Sequence, residues 1–261
     1  MVEMISSISN STIKLARSLH QKKSRDETDL FLVEGILHVG EAIEAGWELK
    51  SLIYCPEKLK SPFATELVEK INQSDTHCIA VSENVFESFA EKENPQGIAA
   101  IVYQKQNRLS SMHGFKLGLA LVNPQDPGNV GSILRTIDGV GADGLILLDG
   151  GTDTYHPSAV RSSMGSIFWK PIYRSTFEEF RVWKNQNGIR LLGTSAHAKT
   201  DVWNLEMDSR PTILLLGSEQ KGLTKEYLSM CDESVALTMR GRASSLNLAV
   251  AAGIILYALV G

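Results

Sequence analysis

The sequence predicts an α/β protein. Two observations carry that prediction. Apolar residues make up 43% of the chain and charged residues 21%, enough for a packed core. Short apolar runs also alternate with amphipathic stretches, and they do so in two separate blocks. The blocks flank a polar interval at 105–116, which reads as a linker between domains at 1–104 and 117–261. A length of 261 residues suits one large domain or two modest ones.

The first block opens with a helix over 9–25. Ser9, Asn10 or Ser11 can cap it, and Ile13, Ala16 and Leu19 recur at helical spacing. A strand at 31–35 follows, then a helix through Val39, Ala42 and Ile43 that stops near Gly46. Strands at 49–55, 77–82 and 97–103 enclose helices at 63–72 and 84–91. The second block begins with a buried-type strand at 117–122, a Pro/Gly loop and a helix at 132–141. A strand at 145–149, helices at 158–166 and 176–186, and strands at 190–195 and 212–217 come next. After a short helix beyond Leu223 and a strand at 234–239, a long apolar helix starts near Ser245.

Charge and cysteine usage exclude several classes. The 26 basic and 30 acidic groups give a net charge of −4, which is not the balance of a typical nucleic-acid binder. The distribution matters more. Residues 1–105 carry 11 basic and 16 acidic groups, and residues 106–261 carry 15 and 14. Within the acidic half, Lys14, Arg17, Lys22, Lys23 and Arg25 form a local basic run able to neutralise phosphates. On spacing alone, a solvated helix face fits that run equally well. Three scattered cysteines make no disulfide framework or metal knuckle and point to a reducing compartment. The six histidines show no metal-ligand spacing. The first residues lack the pattern of a secretory signal, and the apolar stretch Leu246 to Val260 is too short to span a bilayer. A cytoplasmic protein with no metal and no membrane partner is expected.

One motif misleads. Gly139 to Gly144 satisfies G-x-G-x-x-G but follows a helix and precedes a strand, the reverse of a dinucleotide fingerprint. Three other segments lie at carboxyl ends of predicted strands, where crevices form in open α/β sheets. The first, NPQDPGNVGSILRT (123–136), fixes a tight loop and opens a helix carrying Arg135, whose guanidinium can meet a phosphate or a developing oxyanion. The second, LLLGSEQKGL (214–223), has Gly217, which lets a ligand approach the backbone, and Glu219 on a turn. The third, LTMRGRASSLNLAVAAG (237–253), carries two arginines in a loop, then Ser245 and Asn247. Read singly, those last two fit helix caps as well as catalytic groups.

Together the three resemble the SpoU (TrmH-type) RNA ribose 2'-O-methyltransferases of the SPOUT superfamily. The spacings Asn-x-x-Asp-Pro-x-Asn-x-Gly-x-x-x-Arg (123–135), Leu-x-x-Gly-x-Glu-x-x-Gly-Leu (214–223) and Met-x-Gly-x-x-x-Ser-Leu-Asn (239–247) carry the likeness, as does the stretch 153–171. Residues 10–35 resemble that family's small substrate-binding domain, related to RNA-binding ribosomal proteins. The resemblance implies a C-terminal SPOUT domain with a trefoil-knotted, mostly parallel sheet, preceded by that domain. It implies S-adenosylmethionine as cofactor, a structured rRNA or tRNA as substrate, and a homodimer. It assigns catalysis to Arg135 with Asn129, Glu219, Ser245 and Asn247 around it. Gly217, Leu237 and Leu246 would meet the cofactor, with Thr194, Ser195 and Met239 nearby, and the basic run would meet RNA. The rival reading is an RNA-binding protein that kept this fold and lost catalysis.

Two positions depart from the family pattern. Thr238 stands where proline usually precedes the methionine, which is expected to relax the adenine-side loop. Ile137 replaces a small residue after the arginine. The resemblance implies Arg135 as the base. Because guanidinium groups stay protonated in proteins, we prefer the alternative that Arg135 stabilises the incipient alkoxide while a phosphate or water takes the proton. Asn129 is expected to hold Arg135 in place.

Overall fold

A computed structural model describes residues 4–91, 93–112, 114–206 and 208–261. His113 lies outside them. The chain forms two compact units. The first takes in Met1–Lys105 and Tyr155–Phe168; the second takes in Gln106–Thr154 and Trp169–Gly261.

The first unit runs β1 (Met4–Ile5), α1 (Ser11–Ser18), α2 (Lys22–Thr28), β2 (Leu30–Glu34), α3 (Ile36–Glu44), β3 (Leu49–Tyr54), α4 (Pro62–Asn72), β4 (His77–Val81), α5 (Glu83–Glu87) and β5 (Ile98–Tyr103). Its sheet has the order β1-β4-β3-β5-β2, parallel as far as β3 and antiparallel beyond it. Ile13, Ala16 and Leu19 of the first helical segment join Val85, Phe86 and Phe89 in packing against Leu32, Ile53, Ile79 and Ile101.

The single helix expected over 9–25 is two helices. Asn10 caps α1, its side chain accepting from the amides of Thr12 (2.9 Å) and Ile13 (3.4 Å). The helix then ends at Leu19. Arg25 folds back so that Nη1 donates to the Leu19 carbonyl at 2.5 Å, satisfying a helix-end acceptor, and is 1% exposed.

The second unit begins with β6 (Leu117–Val122), α6 (Pro127–Gly139) and β7 (Leu145–Leu148). After β7 the chain enters α7 (Pro157–Ser162), which belongs to the first unit. There Tyr155 lies 4.5 Å from the Phe31 ring, and the Phe168 carbonyl accepts from Trp47 Nε1 at 2.8 Å. The second unit resumes with β8 (Ile172–Ser175), α8 (Phe177–Gln186), β9 (Arg190–Thr194), β10 (Thr200–Asp201), β11 (Thr212–Leu216), α9 (Lys225–Met230), β12 (Glu233–Ala236) and α10 (Leu248–Val260). All seven strands are parallel, in the order β10-β12-β9-β11-β6-β7-β8. The mostly parallel α/β sheet expected from the sequence is present. In this order β11 lies between β9 and β6, so successive strands depart from the β6/β11 pair in opposite directions. Such a switch point opens a crevice at the strands' carboxyl ends.

The stretch expected as a linker holds buried side chains. Leu109, Met112 and Phe115 pack with Ile146, Leu191 and Phe180 in the second unit's core. Ile137 is fully buried on α6. The Gly139–Gly144 segment joins that helix to β7, and Gly141 has φ +73°. No helix among the described residues is long and apolar enough to cross a membrane.

Candidate functional site

The three segments singled out in the sequence leave the carboxyl ends of β6, β11 and β12, and Thr194 ends β9. These four strands are neighbours in the order β12-β9-β11-β6, so their loops emerge side by side.

The first loop is shaped before it becomes a helix. Asp126 caps α6 by accepting from the Gly128 amide at 2.6 Å, and Pro127 occupies the first helical turn, where its missing N–H costs nothing. The helix therefore starts earlier than the periodicity suggested, and Asn129 falls inside its first turn. Gly151, at φ +111°, presses on the loop from β7's end. A Cβ there would sit 2.6 Å from Pro124 Cδ, so only glycine fits, and the Thr152 amide donates to the Pro124 carbonyl at 2.7 Å.

The second loop closes on itself. The Gly222 amide donates to the Ser218 carbonyl at 2.9 Å, and a Cβ on Gly217 would lie 1.9 Å from the carbonyl carbon of Gly222. Gly217 is thus needed for the chain's own turn, and its bareness is not by itself a mark of ligand contact. The closed turn presents Glu219 to α6. Its carboxylate accepts from the amides of Gln125 (3.2 Å) and Asp126 (3.4 Å) and from Asn129 Nδ2 (3.2 Å). A carboxylate is favoured there by the positive end of the helix dipole.

The third loop, after β12, reaches α10 through Asn247. This residue caps the helix, accepting from the amides of Ala249 (2.9 Å) and Val250 (3.3 Å), and its Nδ2 donates to Asn129 Oδ1 at 2.9 Å. Asn129 therefore spends one end of its amide on Glu219 and the other on Asn247, and it is 9% exposed. It is the hub that ties all three segments. The expectation that it holds Arg135 gives way to this arrangement. The two residues are six apart, about 120° around the helix at 3.6 residues per turn. Arg135 is exposed and makes no hydrogen bond or ion pair among the described residues. Ser245 is exposed in the loop beside Leu246, which is 38% exposed.

The remaining residues expected to meet a cofactor line the same strand ends. Leu237 and Met239 are half-buried. Thr194 Oγ1 donates to the Leu215 carbonyl at 3.2 Å, and Ser195 Oγ accepts from the His197 amide at 3.2 Å. Thr238, where a relaxed loop was expected, has a partner of its own. Its hydroxyl donates a short hydrogen bond to the Asp201 carboxylate. That bond is the largest of the causes holding the Asp201 carboxyl below its usual range. Sequence reading missed Asp201, Gly151 and the Gln125–Asp126 amides, because their partners are distant in the chain.

The basic run is largely spoken for within the first unit. Arg25 is buried. Arg17 donates from Nε to the Ser88 carbonyl (3.1 Å) and from Nη2 to Ser88 Oγ (2.8 Å). Lys22 pairs with Asp26 and Lys23 with Glu27 along α2, acids that lie just beyond the run. Lys14 is exposed with no such partner among the described residues. No group of side chains suited to a metal ion occurs among them either.

Comparison with known proteins adds findings of three kinds. The model of the SpoU rRNA Methylase family matches residues 116–257, and that of the MRM3-like substrate binding domain matches residues 10–100. A 23S rRNA (uridine(2479)-2'-O)-methyltransferase of Streptomyces viridochromogenes is 35% identical, covering 92% of this chain and 85% of its own. A 23S rRNA (guanosine(2553)-2'-O)-methyltransferase of Bacillus subtilis is 31% identical over the full length of both. Among solved structures, an AdoMet-bound rRNA methyltransferase of Sinorhizobium meliloti superposes with a TM-score of 0.91 at 35% identity. It covers 99% of this chain and 97% of its own.

Proposed function

This chain belongs to the SpoU rRNA methylase family, and from that premise we propose how its crevice performs the family's reaction. The protein is an S-adenosylmethionine-dependent RNA 2'-O-methyltransferase, transferring a methyl group to a ribose 2'-OH. The observation that carries the reading is the Glu219–Asn129–Asn247 chain of hydrogen bonds. It joins three loops into one crevice and leaves Arg135 unpaired on the helix that the hub anchors.

The residues present suit the cofactor. Leu237, Met239 and Leu246 offer apolar surface for an adenine ring. Thr194 and Ser195 bring hydroxyl groups, and residues 239–246 make no backbone-to-backbone hydrogen bond among the described residues, which leaves their amides and carbonyls available to a ligand. When bound, S-adenosylmethionine supplies a methyl group on an electrophilic sulfonium. The chain's part is to place a ribose hydroxyl in line with that methyl and to favour loss of its proton. Arg135 stabilises the negative charge that grows on the 2'-oxygen, and a phosphate or water accepts the proton. Glu219, Asn129 and Asn247 position the loops, while Ser245 shapes the pocket wall. Exposed Lys14, and Lys22 and Lys23 by exchanging their surface ion pairs, would meet phosphates of a structured RNA, with rRNA favoured over tRNA by the relatives' names. The trefoil knot, the homodimer and a cytoplasmic setting complete the reading.

The product tests it. Nuclease digestion of rRNA incubated with the protein and labelled cofactor should release 2'-O-methylnucleosides and no base-methylated ones. A base-methylated product would overturn the mechanism. Mapping 2'-O-methyl sites in total RNA with and without the gene would then name the nucleotide.

A further inference from the structure

Strand β10 is only two residues long, yet it sits beside the cofactor loop's point of departure. Thr200 pairs with Val235 and Asp201 with Ala236, the last residue of β12. Thr238 comes two residues after Ala236, just beyond the end of β12. Its hydroxyl meets the Asp201 carboxylate, which also accepts from the Trp203 amide at 3.1 Å and draws on the Thr238 amide. Trp203 belongs to a 3-10 turn, Val202–Asn204, that packs against α10. One carboxylate thus gathers a strand end, a turn and the outgoing loop.

The consequence lies with the neighbours of Thr238. From Leu237 to Arg240 burial alternates, with Leu237 and Met239 half-buried and Thr238 and Arg240 exposed. Thr238 turns to Asp201 while the residues on either side of it are withdrawn from solvent. We propose that Asp201 and Thr238 form a polar pin that fixes the facing of Leu237 and Met239, making both of them positioning residues for S-adenosylmethionine. The pin does the work that a proline ring would otherwise do at position 238. It rests on the reading of this crevice as the cofactor site.

The experiment measures S-adenosylmethionine affinity by calorimetry and the kinetics of methyl transfer. Thr238→Val keeps the shape and removes the hydroxyl, Thr238→Ser keeps the hydroxyl, and Asp201→Ala removes the acceptor. A net hydrogen bond to a charged but exposed group corresponds to roughly a three- to tenfold effect. Thr238→Val and Asp201→Ala should each weaken cofactor affinity by about that factor and raise the cofactor KM equally. Their kcat at saturating cofactor should stay within about twofold, since Arg135 and the hub are untouched. Thr238→Ser should bind as the wild type does. The double variant should be no worse than the poorer single one, because both remove the same contact. If the wild type binds while Thr238→Val binds equally well, or if Thr238→Ser is as weak as Thr238→Val, the pin is overturned. A wild type that binds no cofactor overturns the crevice reading and the pin with it.

Discussion

Arg135, unlike Asn129, Glu219 and Asn247, has nothing of its own chain to hold among the described residues. Asn129, Glu219 and Asn247 saturate one another, so removing any of them disturbs loops, whereas removing Arg135 disturbs only what lies outside the protein. Arg135→Ala should accordingly keep S-adenosylmethionine affinity and lose about 10²–10³ in kcat, the usual cost of one preorganised oxyanion donor. Arg135→Lys should recover little, since an ammonium cannot reproduce the planar fork of donors. Single-turnover rates beside calorimetric affinities check this, and full activity in the alanine variant would return Arg135 to the surface. Residue type and position drew attention to Arg135, Glu219 and Asn247 in the sequence, and the family resemblance added Asn129 and grouped the four. Their partners were not legible, because the bonds join residues 90 and 118 positions apart. Gly217 shows the same limit from the other side. Its bareness was readable, but the group it accommodates is the chain's own Gly222 backbone. A valine there would deform the turn that presents Glu219, lowering stability and affinity together.

At the scale of elements, local pattern located the strands and helices well where burial was one-sided. It failed where a side chain closed a break. Arg25 reads as one more surface cation, yet its bond to Leu19 splits the first helix in two. The edge strand β8 and two-residue β1 and β10 lack the length for a period to show. Nor could periodicity reveal the link from α7 back to the first unit. There Arg161 Nη1 meets Glu91 at 2.9 Å, and Glu91 meets His20 Nδ1 at 3.4 Å. His20 Nε2 lies 2.6 Å from the Phe89 carbonyl, and Glu34 and His38 line the same pocket. The His20 pKa is raised, chiefly by its hydrogen bond to Glu91, and that bond is the main cause lowering Glu91. A raised histidine contributes stability that is full below its unfolded value of about 6.5 and is lost as pH rises through the folded value. The lowered carboxylate contributes above about 4.3 and loses its share as pH falls. The Tm gap between wild type and His20→Gln should therefore be widest near pH 6 and shrink toward pH 8.5. A gap that ignores pH would remove the ion pair from the account.

The whole molecule leaves one surface of the second unit unexplained by anything inside it. Along α10, Val250 is 49% exposed, Tyr257 57% and Val260 48%, while Leu248, Ala252, Ile255, Leu256 and Leu259 are buried. Val250 and Tyr257 are seven apart and lie within about 20° of one another on a helix, so the exposure is a stripe. Leu246 and Trp203, 61% exposed, add apolar surface before the helix and beside it. The sequence pointed to an apolar helix with one face left for a partner, against burial wholly within one chain; the structure buries one side and leaves the other exposed. A second copy answers this most simply, because a two-fold axis lets the same stripe cover itself. A coupling between dimer and cofactor site is then expected. Leu246, Asn247 and the start of α10 continue directly from the cofactor loop, so covering the helix steadies the groups proposed to hold S-adenosylmethionine. Sedimentation at micromolar concentration should find a dimer. Val250→Glu with Tyr257→Glu should give a folded monomer whose cofactor affinity falls alongside, since a buried pair of carboxylates facing their own copies is strongly unfavourable. A wild type that sediments as a stable monomer, or a monomeric variant that binds cofactor as tightly as before, would sever the site from the stripe.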